Sequence, residues 1–301
     1  MSSLRARLIR SLTSRYIRGI DFAHADVGTM RKRLDQIGRL TRIAKRVAIE
    51  KGELNGLKTE WYRPENGQSG KVLLYLHGGA FVLGSCDSHR KLVTQIARAG
   101  RIDAVMPEYR LAPEHQYPVG LQDCVGTYRA LLEYGYRPDN IVVAGDSAGG
   151  GLTMSLMLEL RHIGIPLPAA AVLISPFLDF TASGESVRTR ADQDPWFRAD
   201  EVDVVIEYYC PGDDLENPLL SPVFANVAGL PPTLVQVGDD EILLSDSLRI
   251  AEKMKEAGVE VELQVFPEMW HVFQLFVGKM PESRVAVDGI GKFIRDRFST
   301  S

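Results

Sequence analysis

The chain has 301 residues, 45% of them hydrophobic and 25% charged, with a net charge of −4. That balance is ordinary for a soluble globular protein long enough to bury a substantial core, and neither a nucleic-acid-binding motif nor an apolar run of membrane-spanning length accompanies it. The three cysteines, Cys86, Cys124 and Cys210, are scattered and odd in number, which speaks against a disulfide framework or a metal site and for a reducing, cytoplasmic setting.

Charge is unevenly spread. Residues 1–51 hold 13 Lys and Arg against 4 Asp and Glu, leaving the remainder at −13. Leu4, Leu8, Leu12, Tyr16 and Ile20 recur at helical spacing among Arg5, Arg7, Arg10, Arg15 and Arg18, with no acidic residue. A targeting peptide and a membrane-surface helix are two readings of this start. A third is favoured, in which the helix lays its apolar stripe on the rest of the protein, because a second basic helical stretch over 30–50 continues the pattern. No uninterrupted apolar run reaches signal-peptide or transmembrane length, so stable membrane insertion is not expected.

From about residue 55, short apolar runs at 71–76, 102–107, 141–144, 169–174, 233–237 and 259–266 read as strands. Helical stretches near 88–99, 121–134, 152–162, 246–257 and 284–297 alternate with them. The alternation predicts an α/β fold, with a mostly parallel sheet, helices on both faces and working groups at the carboxyl ends of the strands. It is broken between Pro176 and Pro231 by an aromatic stretch including Phe177, Phe180, Trp196, Phe197, Tyr208 and Tyr209. The expected organisation is a catalytic core of residues 51–176 and 231–301, a lid inserted at 177–230, and residues 1–50 as the N-terminal helical part of that cap.

Ile141 to Ala144 run into Gly145-Asp146-Ser147-Ala148-Gly149 and then a helix. A Gly-x-Ser-x-Gly turn between strand and helix can lift a serine hydroxyl clear of the sheet, above a helix N-terminus that favours developing negative charge. A serine needs a base, an orienting acid and oxyanion donors. Of the six histidines only His271 follows the last strand, whereas His24, His77, His89, His115 and His162 lie elsewhere. For the acid, Asp239, Asp240, Glu241 and Asp246 crowd after the penultimate strand. Position alone does not choose among them, and Asp246 suits the cap of the next helix. Backbone N–H groups of Gly78, Gly79 and Ala148 are the expected oxyanion donors, with His77 bracing the glycine turn.

Over residues 55–300 these motifs resemble the hormone-sensitive-lipase-like branch of the α/β-hydrolases, the bacterial lidded carboxylesterases. The resemblance rests on His77-Gly78-Gly79-Ala80-Phe81, Tyr109-Arg110-Leu111-Ala112-Pro113-Glu114, the Gly-Asp-Ser-Ala-Gly-Gly elbow, Gly229-Leu230-Pro231-Pro232 and His271-x-Phe273. Ala80 departs from the family, which often has a third glycine there. The family's Asp-Pro-Leu or Asp-Pro-Met, followed by a later Asp, aligns with Leu243 and Asp246 so that Glu241 takes the acid position in preference to Asp240. The resemblance implies an α/β-hydrolase fold with a helical cap. It also implies a Ser147–His271–Glu241 triad acting on short- to medium-chain esters, with no metal or organic cofactor. The implied partner is a small-molecule ester. A homodimer is compatible with the chain, and nucleic acid is not expected. Lactone or amide hydrolysis by the same triad is the alternative reaction, and a non-catalytic receptor on this scaffold is the alternative outside the enzymes.

Overall fold

The computed structural model of the chain describes residues 2–17 and 25–299. Arg18, Ile20 and His24 therefore lie outside the described residues. Eight strands form one sheet in the order β1-β2-β4-β3-β5-β6-β7-β8. They are β1 (Val47–Leu54), β2 (Leu57–Pro64), β3 (Gln68–Leu76), β4 (Ile102–Pro107), β5 (Ile141–Asp146), β6 (Ala170–Ile174), β7 (Thr233–Gly238) and β8 (Val261–Phe266). β1 and β2 pair antiparallel, as do β2 and β4, while every pairing from β4 through β3 to β8 is parallel.

The parallel centre is apolar on both faces because helices cover both. Leu73 and Tyr75 of β3, with Val142 and Ala144 of β5, pack toward α3 (Cys86–Gly100) and α9 (Pro281–Arg297). Val72, Leu74, Leu76, Ile141 and Val143 point the other way, toward α4 (Val119–Glu133) and α5 (Ala148–His162). The parallel register puts the ends of β3, β5, β6 and β7 side by side, and the loops that follow them share one edge. Between β6 and β7 the chain forms α6 (Ser186–Thr189) and α7 (Glu201–Tyr209), and α8 (Leu244–Glu256) follows β7.

Two expectations for the N-terminal part are overturned. The basic stretch over 30–50 is not one helix: α2 (Val27–Arg39) stops early and β1 begins at Val47. The turn joining β1 to β2 is Asn55-Gly56, with both residues at positive φ, which suits a tight antiparallel hairpin. In α1 (Leu4–Ile17) the leucine stripe does not lie on the body. Leu4, Leu8 and Leu12 are 77%, 62% and 59% exposed, whereas Ala6 and Thr13 face inward. Among the described residues no helix is long and apolar enough to cross a membrane. All three cysteines are buried free thiols.

Candidate active site

β5 ends at Asp146 and α5 begins at Ala148, so Ser147 alone makes the turn, at φ 54° and ψ −122°. A side chain other than glycine is strained there by about 1–3 kcal/mol. The surroundings hold it: the Ser147 N–H donates to the Ile174 carbonyl at 2.8 Å, and Phe177 donates back to the Ser147 carbonyl at 3.0 Å. A glycine is required at 149, since a Cβ there would come within 2.0 Å of the Leu76 carbonyl oxygen.

His271 sits on the loop between β8 and α9, and its Nε2 lies 2.9 Å from Ser147 Oγ. Its Nδ1 lies 3.3 Å from Glu241 Oε1. An ionised carboxylate can only accept, so Nδ1 carries the proton and Nε2 is left to accept the serine hydroxyl. Burial alone would push the imidazole down; the hydrogen bond and charge of Glu241, with Asp194 and Asp146 behind it, hold it above its ordinary value. Glu241 is itself fixed through Oε2, which accepts from the Gly238 N–H at 2.9 Å and from Ser175 Oγ at 2.8 Å. The Val272 N–H donates to the same Ser175 hydroxyl at 3.2 Å, tying the loop after β7 to the loop after β8.

The other carboxylates of the acid loop are occupied elsewhere. Asp240 pairs with Arg10 of α1 at 2.5 Å, and Asp239 accepts from the Glu268 N–H at 2.5 Å. Asp246 does not cap α8. The N-cap is Leu243, and Asp246 is a buried first-turn residue that accepts from the Leu178 N–H at 2.8 Å, its carboxyl pushed up to about 8, chiefly by burial.

The glycine turn departs from expectation at one residue. The Gly78 N–H donates to Asp146 Oδ1 at 3.1 Å, and a Cβ at 78 would meet the same carboxylate at 2.3 Å. Gly78 is therefore needed for close packing, and its N–H is not turned toward an oxyanion. Gly79 and Ala80, both half-buried at positive φ, follow it in the turn. His77 braces the turn, donating from Nδ1 to the Gly78 carbonyl at 2.9 Å and stacking on Tyr109 at 4.3 Å. Burial, reinforced by His89, pushes its imidazole down to about 3, so it stays neutral.

Two residues near Ser147, His271 and Glu241 carry no sequence signal of their own. Ser175 is one. The other is Asp194, buried in the segment between β6 and β7, which accepts from Trp196 and Phe197 N–H groups at 2.9 and 3.2 Å and from the Ile242 N–H at 3.2 Å. Burial and the charge of Glu241 push its carboxyl up to about 7, against the pull of His271. The Phe197 ring, positioned by these bonds, lies 5.8 Å from the His271 ring.

A family profile described as alpha/beta hydrolase fold matches residues 73–275. The chain is 40% identical over 236 residues to an acetyl-hydrolase of Streptomyces hygroscopicus, covering 78% of this chain and 79% of the relative. It is 37% identical to an esterase of Acinetobacter venetianus, covering 88% and 87%. Among solved structures, an esterase from the bacterial hormone-sensitive lipase family superposes with a TM-score of 0.94 at 37% identity, covering 99% of each chain. EstE5 soaked with p-nitrophenyl butyrate gives a TM-score of 0.94 at 35% identity, covering 99% of this chain and 100% of that one. With an elbow serine, a late histidine and a sheet of this topology, the chain belongs to the α/β-hydrolase fold family, in its hormone-sensitive-lipase-like branch of esterases.

Proposed function

We propose that the protein is a serine carboxylesterase acting on short- to medium-chain esters, with Ser147 as nucleophile, His271 as base and Glu241 as the acid that orients it. The observation that carries this reading is the unbroken chain of contacts from Ser147 Oγ through both ring nitrogens of His271 to Glu241. As Ser147 Oγ bonds to the ester carbonyl carbon, its proton passes to His271 Nε2 and the carbonyl oxygen becomes an oxyanion. Collapse breaks the bond to the alkoxy oxygen, which leaves with the His271 proton, and water then attacks the acyl-enzyme by the reverse transfer. The Ala148 N–H at the start of α5, with those of Gly79 and Ala80, receives the oxyanion. Each such donor contributes on the order of 10²–10³ in rate.

The helices α1 and α2 act with residues 177–230 as the cap. The bond from Arg10 of α1 to the Gln193 carbonyl at 2.6 Å supports this arrangement, and stacking of Phe81 on Tyr209 at 4.1 Å sets the 177–230 segment against the glycine turn. Phe197 beside His271 limits the room for the acyl chain, in keeping with small acyl groups. The buried thiols suit a reducing compartment such as the cytoplasm.

The test is turnover on a panel of p-nitrophenyl esters, lactones and anilides beside a Ser147→Ala control. Acetate and butyrate esters are expected to lead, with kcat lowered on the order of 10⁶-fold in the control. Ester turnover that survives Ser147→Ala would remove the serine mechanism, and lactones or anilides outrunning every ester would change the substrate class.

A further inference from the structure

The feature that the catalytic reading does not use is the outward face of α1. At about 100° per residue, Leu4, Leu8 and Leu12 fall within roughly 80° of one another, with Arg15 among them and Arg5 and Arg7 on the two flanks. All six are exposed. The inward face is held by specific bonds: Ser2 to Glu268 at 2.6 Å, Ser3 to Glu282 at 2.6 Å, and Arg10 to Asp240 at 2.5 Å. The helix is therefore fixed with its leucines turned away from the protein, where they gain nothing in folding. Its 14 residues include four arginines and no acidic side chain.

We propose that this face docks the enzyme on an anionic phospholipid surface. The leucines would enter the boundary between headgroups and acyl chains while Arg5, Arg7 and Arg15 meet lipid phosphates, the pairing that an apolar stripe flanked by arginines fits. Charge argues against the same face of a second copy as occupant, because two such helices would bring six arginines together with no acidic residue on either. The anchors of α1 place this contact next to the site. Asp240 adjoins Glu241, and Glu268 lies on the loop that carries His271. Docking through α1 would therefore bring the acid and base loops close to the lipid surface, where apolar esters concentrate. Three leucines and three arginines on one short helix give reversible attachment rather than insertion.

The experiment is co-sedimentation of the full chain with vesicles of phosphatidylcholine alone or with about one-third phosphatidylglycerol, at about 0.1 M and 0.5 M salt. Retention is expected on the anionic vesicles at low salt, falling about tenfold on neutral vesicles or at high salt. Leu8→Ser/Leu12→Ser is expected to lower binding about tenfold while leaving turnover of soluble p-nitrophenyl acetate and the unfolding midpoint unchanged, since both side chains are more than half exposed. Equal binding to both vesicle types overturns the proposal, and so does full retention by the variant. A vesicle-free mass of twice 33.4 kDa that the same substitutions halve also overturns it, in favour of a second copy as the occupant.

Discussion

Two buried histidine–carboxylate pairs adjoin the elbow at nearly the same distance: His271 Nδ1 with Glu241 at 3.3 Å, and His89 Nε2 with Asp146 at 3.2 Å. What separates them is the second ring nitrogen. His271 turns it to Ser147 Oγ, whereas His89 turns it to Ser88 Oγ on its own helix at 2.7 Å. The carboxylates differ in the same way. Asp146 also receives the Tyr75 hydroxyl at 2.7 Å and the Gly78 N–H, so it fastens the end of β3, the glycine turn and α3 to the elbow. Burial would raise its pKa, but the charge of His89 and the hydrogen bonds from His89 and Tyr75 hold it below the ordinary value. On the proposed mechanism a histidine–carboxylate pair is a base in one place and a brace in the other, according to what the free nitrogen faces.

The largest way to break this contrast is to neutralise Glu241. Glu241→Gln keeps an acceptor for the Gly238 N–H but no longer holds the imidazole in the tautomer that accepts from Ser147. It is expected to lower kcat on the order of 10⁴-fold on p-nitrophenyl butyrate. Asp240→Asn removes only the partly exposed pair with Arg10 and should change kcat by less than about threefold. A larger loss in Asp240→Asn than in Glu241→Gln would reassign the acid.

How much of this was legible in the sequence follows from what each residue touches. β5 is buried along its whole length and reads as an unbroken apolar run ending in the elbow, so strand, turn and serine are all visible locally. His271 is visible by elimination and chain order. β1 is not legible as a strand because five of its eight residues are exposed and three of those are charged, so no apolar run marks it, although Asn55-Gly56 is a usable hairpin signal. The α1 stripe is legible but the side it faces is not, since periodicity shows that a helix has an apolar face and not what covers it. Gly78 reads as an oxyanion donor because glycine bares its N–H; that the N–H meets Asp146 depends on a strand pairing distant in sequence. Ser175 and Asp194 act through contacts 66 and 48 residues away, to which no local pattern corresponds.

Asp146→Asn sharpens the comparison from the other side. Its amide nitrogen cannot accept, so at least one of the Tyr75, Gly78 and His89 bonds is lost in a fully buried place. Losing one member of a buried pair typically costs about 3–5 kcal/mol. In urea unfolding the midpoint should fall with the slope unchanged, and the two variants should exchange rank between assays, Glu241→Gln worse in kcat and Asp146→Asn worse in stability. An Asp146→Asn protein that unfolds at the wild-type midpoint yet loses kcat as Glu241→Gln does would make both pairs catalytic.

The smallest expected effect tests how far the catalytic pair extends. His271 must be neutral to take the serine proton, so kcat/KM should fall as pH drops through its raised pKa, placing the acid limb above the ordinary 6.5 of histidine. Part of that elevation comes from the charge of Asp194. Asp194→Asn should therefore move the limb to lower pH, by a fraction of a unit, because removing a negative charge makes the imidazolium easier to deprotonate. Stability should respond with the opposite sense of protonation. With its folded pKa raised from 3.8 to about 7, Asp194 contributes stability that is full below 3.8 and is lost as pH rises toward 7. The gap between wild type and Asp194→Asn should accordingly narrow over that window. If the limb stays in place while turnover falls, Asp194 acts only as a clamp on Trp196 and Phe197, and Glu241 is the carboxylate that sets the limb.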